Sequence, residues 1–351
     1  MTLQDRLKTL HQLANHLAGP EDEFLTALQK RTEFNNGWFT QENQRASIDA
    51  IRDQFLDKDN LATWLTQYPT LHTASAPHKQ LTVGLVLAGN IPLVGFHDIL
   101  CVYVAGHTAQ IKLSSKDEFV LPYLLKLLAK FDARAADYFE LSGQLKNIDA
   151  VIATGSNNSA RYFEQYFSKY PHIIRKNRNA VAVLSGKESV EQMRDLCNDV
   201  FQYFGLGCRN VSKLYVPAGY DFQPLLEVMH EWKQLQNHVK WKNNFDYNYA
   251  LTTLNKVSFH LTGPLMLFEE KAIVSRIATL HFSYYEDIEA LTSELRTHEE
   301  EIQLVVAQPG LLELKTFAFG EAQRPGLSDY ADGVDALAFL TSLGAHARPE
   351  E

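Results

Sequence analysis

Cys208, in the run Gly205-Leu206-Gly207-Cys208-Arg209-Asn210, has the side chain best suited to covalent catalysis in this sequence. A thiolate is a strong nucleophile near neutral pH, and an acyl group carried on sulfur can accept a hydride or pass to another thiol. Gly205 suits a helix C-cap, and Gly207 would let a ligand or another backbone come close. The neighbouring Arg209 favours a thiolate, while the C-terminal end of a preceding helix opposes it. Taken by itself, a cysteine is more often a small core hydrophobe. Cys101, in an apolar helical run, and Cys197, in an amphipathic one, fit that description better.

Three other segments offer polar groups beside strand-like runs. Asn90, in Ala88-Gly89-Asn90-Ile91-Pro92, can donate its amide to a developing oxyanion or satisfy turn backbone. Lys112-Leu113-Ser114-Ser115-Lys116 follows a second such run. Thr154-Gly155-Ser156 ends a third, where a glycine before a helix start can hold a phosphate, although a serine there is commonly just an N-cap. Gly-x-Gly-x-x-Gly, Walker A and Gly-x-Ser-x-Gly patterns are absent. The 13 histidines show no zinc-ligand spacing, so no metal is expected.

These segments need elements to position them. Leu7, Leu10, Leu13 and Leu17 recur at helical spacing. A second helix opens at Asp22-Glu23-Phe24, a third spans 41–55 and a fourth 61–67, before a loop over 69–78. The texture changes at Leu81. Strands are predicted at 81–88, 109–113, 148–153, 180–184 and 211–216, with helices at 93–105, 118–131, after Ser156 to Ser168, 190–204 and 222–235. Apolar strands alternating with helices of this length predict a parallel α/β sheet.

The chain has 351 residues, 45% of them hydrophobic and 21% charged, enough for two domains or one large one. A net charge of -9 disfavours nucleic-acid binding. The longest apolar stretch, 83–96, is broken by Asn90 and Pro92 and is too short to span a bilayer. Met1 to Asp5 does not resemble the start of a secretory leader, and three cysteines suit a reducing cytoplasm.

In this order the segments resemble the aldehyde dehydrogenase superfamily, and most of all its LuxC-like branch, the acyl-CoA reductases. The resemblance runs from about Val83 to Leu343. It includes Asn243-Asn244-Phe245-Asp246-Tyr247-Asn248 and the tail from Phe317-Ala318-Phe319-Gly320 through Gln323-Arg324-Pro325-Gly326 to Asp329-Tyr330. It implies an aldehyde-dehydrogenase-like α/β fold: a Rossmann-like cofactor domain with N-terminal helices over 1–176, an α/β catalytic domain over 177–328, and a segment, 329–351, returning to the cofactor side. It makes Cys208 the nucleophile and Asn90 an oxyanion donor. It places Lys112 and Ser115 at the adenosine ribose, and Thr154, Gly155 and Ser156 near the pyrophosphate.

Departures from the family pattern refine this. Hydrolytic members carry a water-activating glutamate before the cysteine, whereas here no acidic residue lies between Glu164 and Glu188. Water attack on the acyl-enzyme should then be slow, which implies reduction of an acyl-CoA, with a fatty acyl chain expected, to an aldehyde. The basic cluster Arg175, Lys176 and Arg178 reads either as a phosphate contact or as an exposed loop, and His172 as an acid/base or a structural residue. Ser115 replaces a carboxylate that would repel a 2′-phosphate, and Lys116 adds attraction, so NADPH is expected ahead of NADH. Implied partners are the acyl-CoA substrate, a separate acyl-activating synthetase, and further copies of the chain in a homo-oligomer. The alternatives are an acyl-phosphate reductase of the same fold and a catalytically silent scaffold or partner subunit.

Overall fold

The structure is a computed structural model that describes residues 1–73 and 79–343, without the side chains of residues 72 and 73. The chain divides into two compact units, Met1–Lys176 with Gly326–Glu351, and Asn177–Pro325.

The first unit opens with α1 (Leu3–Ala18), α2 (Glu23–Asn35), α3 (Gln41–Ala50), α4 (Lys58–Leu65) and the short α5 (Thr70–Thr73). Side-chain oxygens start four of these helices: Thr2, Asp22, Thr40 and Asp57 each accept from backbone N–H groups of the first turn. A single π turn, Ile51–Phe55, extends α3. The loop expected over 69–78 thus includes the helical turn α5, and residues 74–78 lie outside the described residues.

The sheet of this unit is built from β1 (Thr82–Val86), β2 (Thr108–Lys112), β3 (Phe139–Leu141), β4 (Ala150–Thr154) and β5 (His172–Arg175). All pairings are parallel, in the order β3-β2-β1-β4-β5. Parallel neighbours require crossovers, and α6 (Phe96–Ala105), α7 (Val120–Phe131) and α8 (Asn157–Phe167) supply three of them. Val83, Leu85, Ile111 and Ile152 share one core with α6, α7 and the N-terminal helices. Val151 and Ala153, which alternate with Ile152 along β4, share another with Leu145 and Phe167.

The second unit holds β6 (Asn179–Val183), α9 (Val190–Phe201), β7 (Val211–Pro217), α10 (Gln223–His230), α11 (Val239–Leu254), β8 (His260–Leu261), β9 (Met266–Glu269), β10 (Thr279–Tyr285), α12 (Ile288–Thr297) and β11 (Ile302–Ala307). Its six strands run in the order β11-β6-β7-β10-β9-β8, parallel except for the antiparallel pair β8–β9. The chain then returns to the first unit. Leu327 and α13 (Ala336–Leu343), through Leu337 and Leu340, join the core around α6. Residues 344–351 lie outside the described residues. Among the described residues no helix is long and apolar enough to cross a membrane.

Three local expectations are corrected. Helix α6 begins at Phe96, not Leu93, because Leu93 is left-handed at φ 57° in a turn that Pro92 opens. Helix α9 ends at Phe201 with Gln202 as its C-cap, because Tyr203 and Phe204 are also left-handed, at φ 54° and 57°. Gly205, at φ 67°, therefore belongs to the turn beyond the helix and does not cap α9. The expected helix over 222–235 stops at His230 and is followed by the 3₁₀ turn Lys233–Asn237.

The basic stretch after Tyr170 is also not an exposed loop with three cations. Strand alternation turns Ile173 and Arg175 inward. The Nη1 of Arg175 donates to both oxygens of Asp98, in the first turn of α6, at 2.8 and 2.7 Å. Only Lys176 is fully exposed, and Arg178 donates to the Glu299 carbonyl at 2.9 Å. The buried pair spans β5 and α6. Removing one partner strands the other charge, typically at about 3–5 kcal/mol. Urea unfolding followed by tryptophan fluorescence should show Arg175→Met destabilised on that scale, with Asp98→Leu in the same chain recovering most of the loss. A single variant as stable as wild type contradicts this role.

Candidate active site

The connection carrying Cys208 leaves α9, passes three left-handed residues and enters β7. Leu206 N–H donates to the Tyr203 carbonyl at 3.2 Å and Asn210 N–H to the Gly207 carbonyl at 3.1 Å. The Asn210 side chain takes up three further backbone groups. Its Oδ1 accepts from Gly207 N–H at 2.8 Å, and its Nδ2 donates to the carbonyls of Asp199 and Gln202 at 2.9 and 2.8 Å. Asn210 is itself buried, so these bonds are shielded from water. Cys208, two residues before it, is half-buried. The other two thiols are buried, and that burial pushes both far up from the ordinary thiol range. Arg209 turns to the tail segment: its Nε donates to the Ala322 carbonyl at 2.6 Å, and its guanidinium lies 4.9 Å from the Phe317 ring centre.

In the first unit, the strand order reverses between β1 and β4, and their carboxyl ends carry Asn90 and Thr154-Gly155-Ser156. In open α/β sheets, ligands bind at such a reversal. Asn90 is half-buried. The turn around it is held from two sides: Ser47 Oγ donates to the Pro92 carbonyl at 2.8 Å, and the buried Asp117 carboxylate accepts from Leu93 N–H at 2.7 Å. Burial lifts the Asp117 carboxyl to about 6, against the lowering effect of that hydrogen bond. Gly89 is required here, since a Cβ would run into the Ser114 side chain. Gly89, next to Asn90, thereby packs against the turn after β2.

Lys112 is exposed at the end of β2, and Ser115 and Lys116 are exposed on the turn that follows. Ser114 Oγ, rather than Ser115, organises that turn by accepting from Lys116 N–H at 3.3 Å. Thr154 ends β4. At Gly155 a Cβ would lie 2.8 Å from Phe163 Cε2 and 2.9 Å from Ser159 Cβ, so only glycine allows α8 to pack this closely. Ser156 is the N-cap of α8, accepting from Ser159 N–H at 3.2 Å.

Lys112 and α8 line one cavity of about 740 Å³, together with Val86, Gln144 and Leu145. Helix α8 contributes Tyr162, Phe163 and Tyr166, and Lys169 follows it. Lining residues include two lysines and no carboxylate; Ser115, Thr154, Gly155 and Ser156 are not among them. His172 hydrogen-bonds the Tyr170 carbonyl at 2.8 Å through Nδ1, and its Nε2 stands 3.6 Å from Glu164.

The two sheets have counterparts in solved structures. Aldehyde dehydrogenase 21 from Physcomitrella patens, in complex with the reaction product succinate, matches with a TM-score of 0.67 at 13% identity, over 98% of this chain and 84% of that one. The fold is that of the aldehyde dehydrogenases. An NAD+ complex of aldehyde dehydrogenase from Bacillus cereus matches at TM-score 0.63 and 12% identity, over 88% of this chain and 72% of that one. The NAD-dependent aldehyde dehydrogenase from Sinorhizobium meliloti matches at TM-score 0.62 and 12% identity, over 88% and 71%. No family model and no curated protein matches the chain.

Sequence reasoning missed Asp117, Asp199 and the aromatic face of α8. An aspartate carries no periodic signal, although Tyr162, Phe163 and Tyr166 at helical spacing on a short strand-following helix were readable as a lining face. The contrast among the thiols gives a direct expectation. Iodoacetamide under native conditions should alkylate Cys208 and leave Cys101 and Cys197 unmodified until the chain is unfolded, as read by peptide mass spectrometry. Native modification of either buried cysteine ahead of Cys208 contradicts the placement.

Proposed function

We propose that this chain is a LuxC-like acyl-CoA reductase that carries the acyl group on Cys208. The observation supporting it best is a half-buried Cys208, on a loop stapled by Asn210, in an aldehyde dehydrogenase fold whose sequence has no carboxylate between Glu164 and Glu188 to activate water.

The Cys208 thiolate attacks the thioester carbonyl carbon, and a bond forms between Sγ and that carbon. The Cys208 backbone N–H and the Asn90 amide are the assigned oxyanion donors. When the oxyanion collapses, the carbon–sulfur bond to CoA breaks and CoA leaves as its thiolate. The acyl group remains on Cys208, and without a base to activate water it persists long enough to be reduced.

The first unit's cavity suits the adenosine end of a nicotinamide dinucleotide. Tyr162, Phe163 and Tyr166 offer surface for an adenine and Lys112 can donate to ribose hydroxyls. The N-terminus of α8, where the resemblance puts the pyrophosphate, lies outside that lining. With no carboxylate and with Lys112 and Lys169 in the lining, a 2′-phosphate is tolerated, which favours NADPH over NADH. The bound cofactor supplies the hydride that reduces the thioester carbon. Cys208 then departs as a thiolate and the aldehyde is released.

Intact-protein mass spectrometry after exposure to a panel of fatty acyl-CoAs and acyl phosphates tests this reading. One acyl adduct from an acyl-CoA is expected, absent in Cys208→Ala and retained in Cys101→Ala and Cys197→Ala. Asn90→Ala should slow adduct formation about 100-fold. Adducts formed only from acyl phosphates would favour the phosphate reductase, and an adduct that persists in Cys208→Ala would reject the assignment.

A further inference from the structure

Asp199, in the last turn of α9, has no exposed surface and lies nine residues before Cys208. Its carboxylate accepts from two backbone groups of a distant segment, Gly320 N–H through Oδ2 at 2.7 Å and Ala322 N–H through Oδ1 at 3.0 Å. Its own carbonyl accepts from Asn210, whose side chain also holds Gly207 N–H. The same distant segment receives Arg209, through the Ala322 carbonyl and the Phe317 ring. Residues on both sides of Cys208 and the 317–322 segment therefore form one hydrogen-bonded body, which Asp199 and Arg209 tie together from the two sides.

We propose that Asp199 is a positioning residue whose ionised carboxylate latches the 317–322 segment to the loop that carries Cys208 and so sets the reactivity of that thiol. The proposal rests on the reading of Cys208 as the nucleophile. A carboxylate with both oxygens accepting from N–H groups holds the segment in one register, and charge-assisted bonds of this kind are about twice as strong as neutral ones.

Burial pushes the Asp199 carboxyl up to about 7, and the nearby Asp195 on the same helix acts in the same direction. The Gly320 and Ala322 N–H groups and Arg209 oppose the rise. Glu321, on the facing segment, turns its carboxylate back to Ala318 N–H. A carboxyl raised from its ordinary 3.8 is better tolerated protonated in the fold, so on this account folding stability falls as pH rises from about 4 to about 7. Ionised Asp199 thus works against stability at neutral pH, as expected of a group retained for function rather than packing. As pH falls through about 7 the carboxylate gains a proton, one oxygen becomes a donor, and the hold on the segment weakens.

The test uses the full chain with neither acyl donor nor cofactor. Hydrogen exchange at the Gly320 and Ala322 amides, corrected for intrinsic rates, should lose roughly tenfold protection or more as pH falls from 8.5 to 5.5, in line with loss of a charge-assisted bond. The pH profile of Cys208 alkylation by iodoacetamide should show an inflection in the same window. In Asp199→Asn, which keeps the shape, both effects should be absent, with exchange fast and unvarying. Protection that does not change with pH, or a Cys208 profile identical in wild type and Asp199→Asn, overturns the proposal. If these hold while no acyl-CoA modifies Cys208, the latch stands and the reductase reading fails.

Discussion

The Asn210 side chain satisfies three backbone groups, one in the last turn of α9 and two in the connection to β7, and the placement of Cys208 depends on it. That connection pairs only part of its own backbone, because Tyr203, Phe204 and Gly205 are all left-handed and break the helix before the strand begins. An unpaired buried amide or carbonyl would cost about 1–3 kcal/mol. A side chain with one acceptor and two donors meets that demand in a single residue. With the backbone so fixed, Cys208 stays at an edge of the core, whereas Cys101 and Cys197 are sealed inside helices.

The first unit solves the same problem by other means. The turn after β1 carries Asn90, and a hydroxyl from α3 and a carboxylate preceding α7 hold it. Gly89 and Gly155 bring neighbouring elements too close for any side chain, the first against Ser114 and the second against Phe163. The turn carrying Asn90 and the connection carrying Cys208 are thus fixed by buried polar atoms outside the regular ladder, and the first of them leaves the carboxyl end of a parallel strand, where such sheets place their ligands. The buried Arg175–Asp98 pair uses the one arginine of the 172–175 strand for structure.

The α/β class was readable because buried parallel strands are nearly continuous apolar runs. Val83 to Val86 and Val181 to Val183 show this plainly. The start of α8 was readable because the capping Ser156 stood there, and boundaries were misread where backbone conformation decided them. Nothing in the letters of Leu93, Tyr203 or Phe204 signals a left-handed residue, since only glycine and asparagine commonly adopt it. Arg175 was misread for a related reason: adjacency to Lys176 and Arg178 suggested a basic cluster, but strand alternation sends neighbours to opposite faces. Cys208 stood out through its glycine-rich surroundings, whereas Asp199 and Asp117 act across 121 and 24 residues of sequence and left no local pattern.

The account requires that the acyl group on Cys208 be an intermediate rather than a dead-end modification. A single-turnover chase tests this most directly. The chain is loaded with an acyl-CoA labelled at the carbonyl carbon, freed of excess donor, and mixed with NADPH in the presence of a hydrazine trap. The account predicts that label leaves the protein as the trapped aldehyde, in a yield equal to the loaded Cys208 and with one NADPH oxidised per acyl group. Label that stays on Cys208, or leaves as the free carboxylic acid with NADPH unchanged, would contradict it.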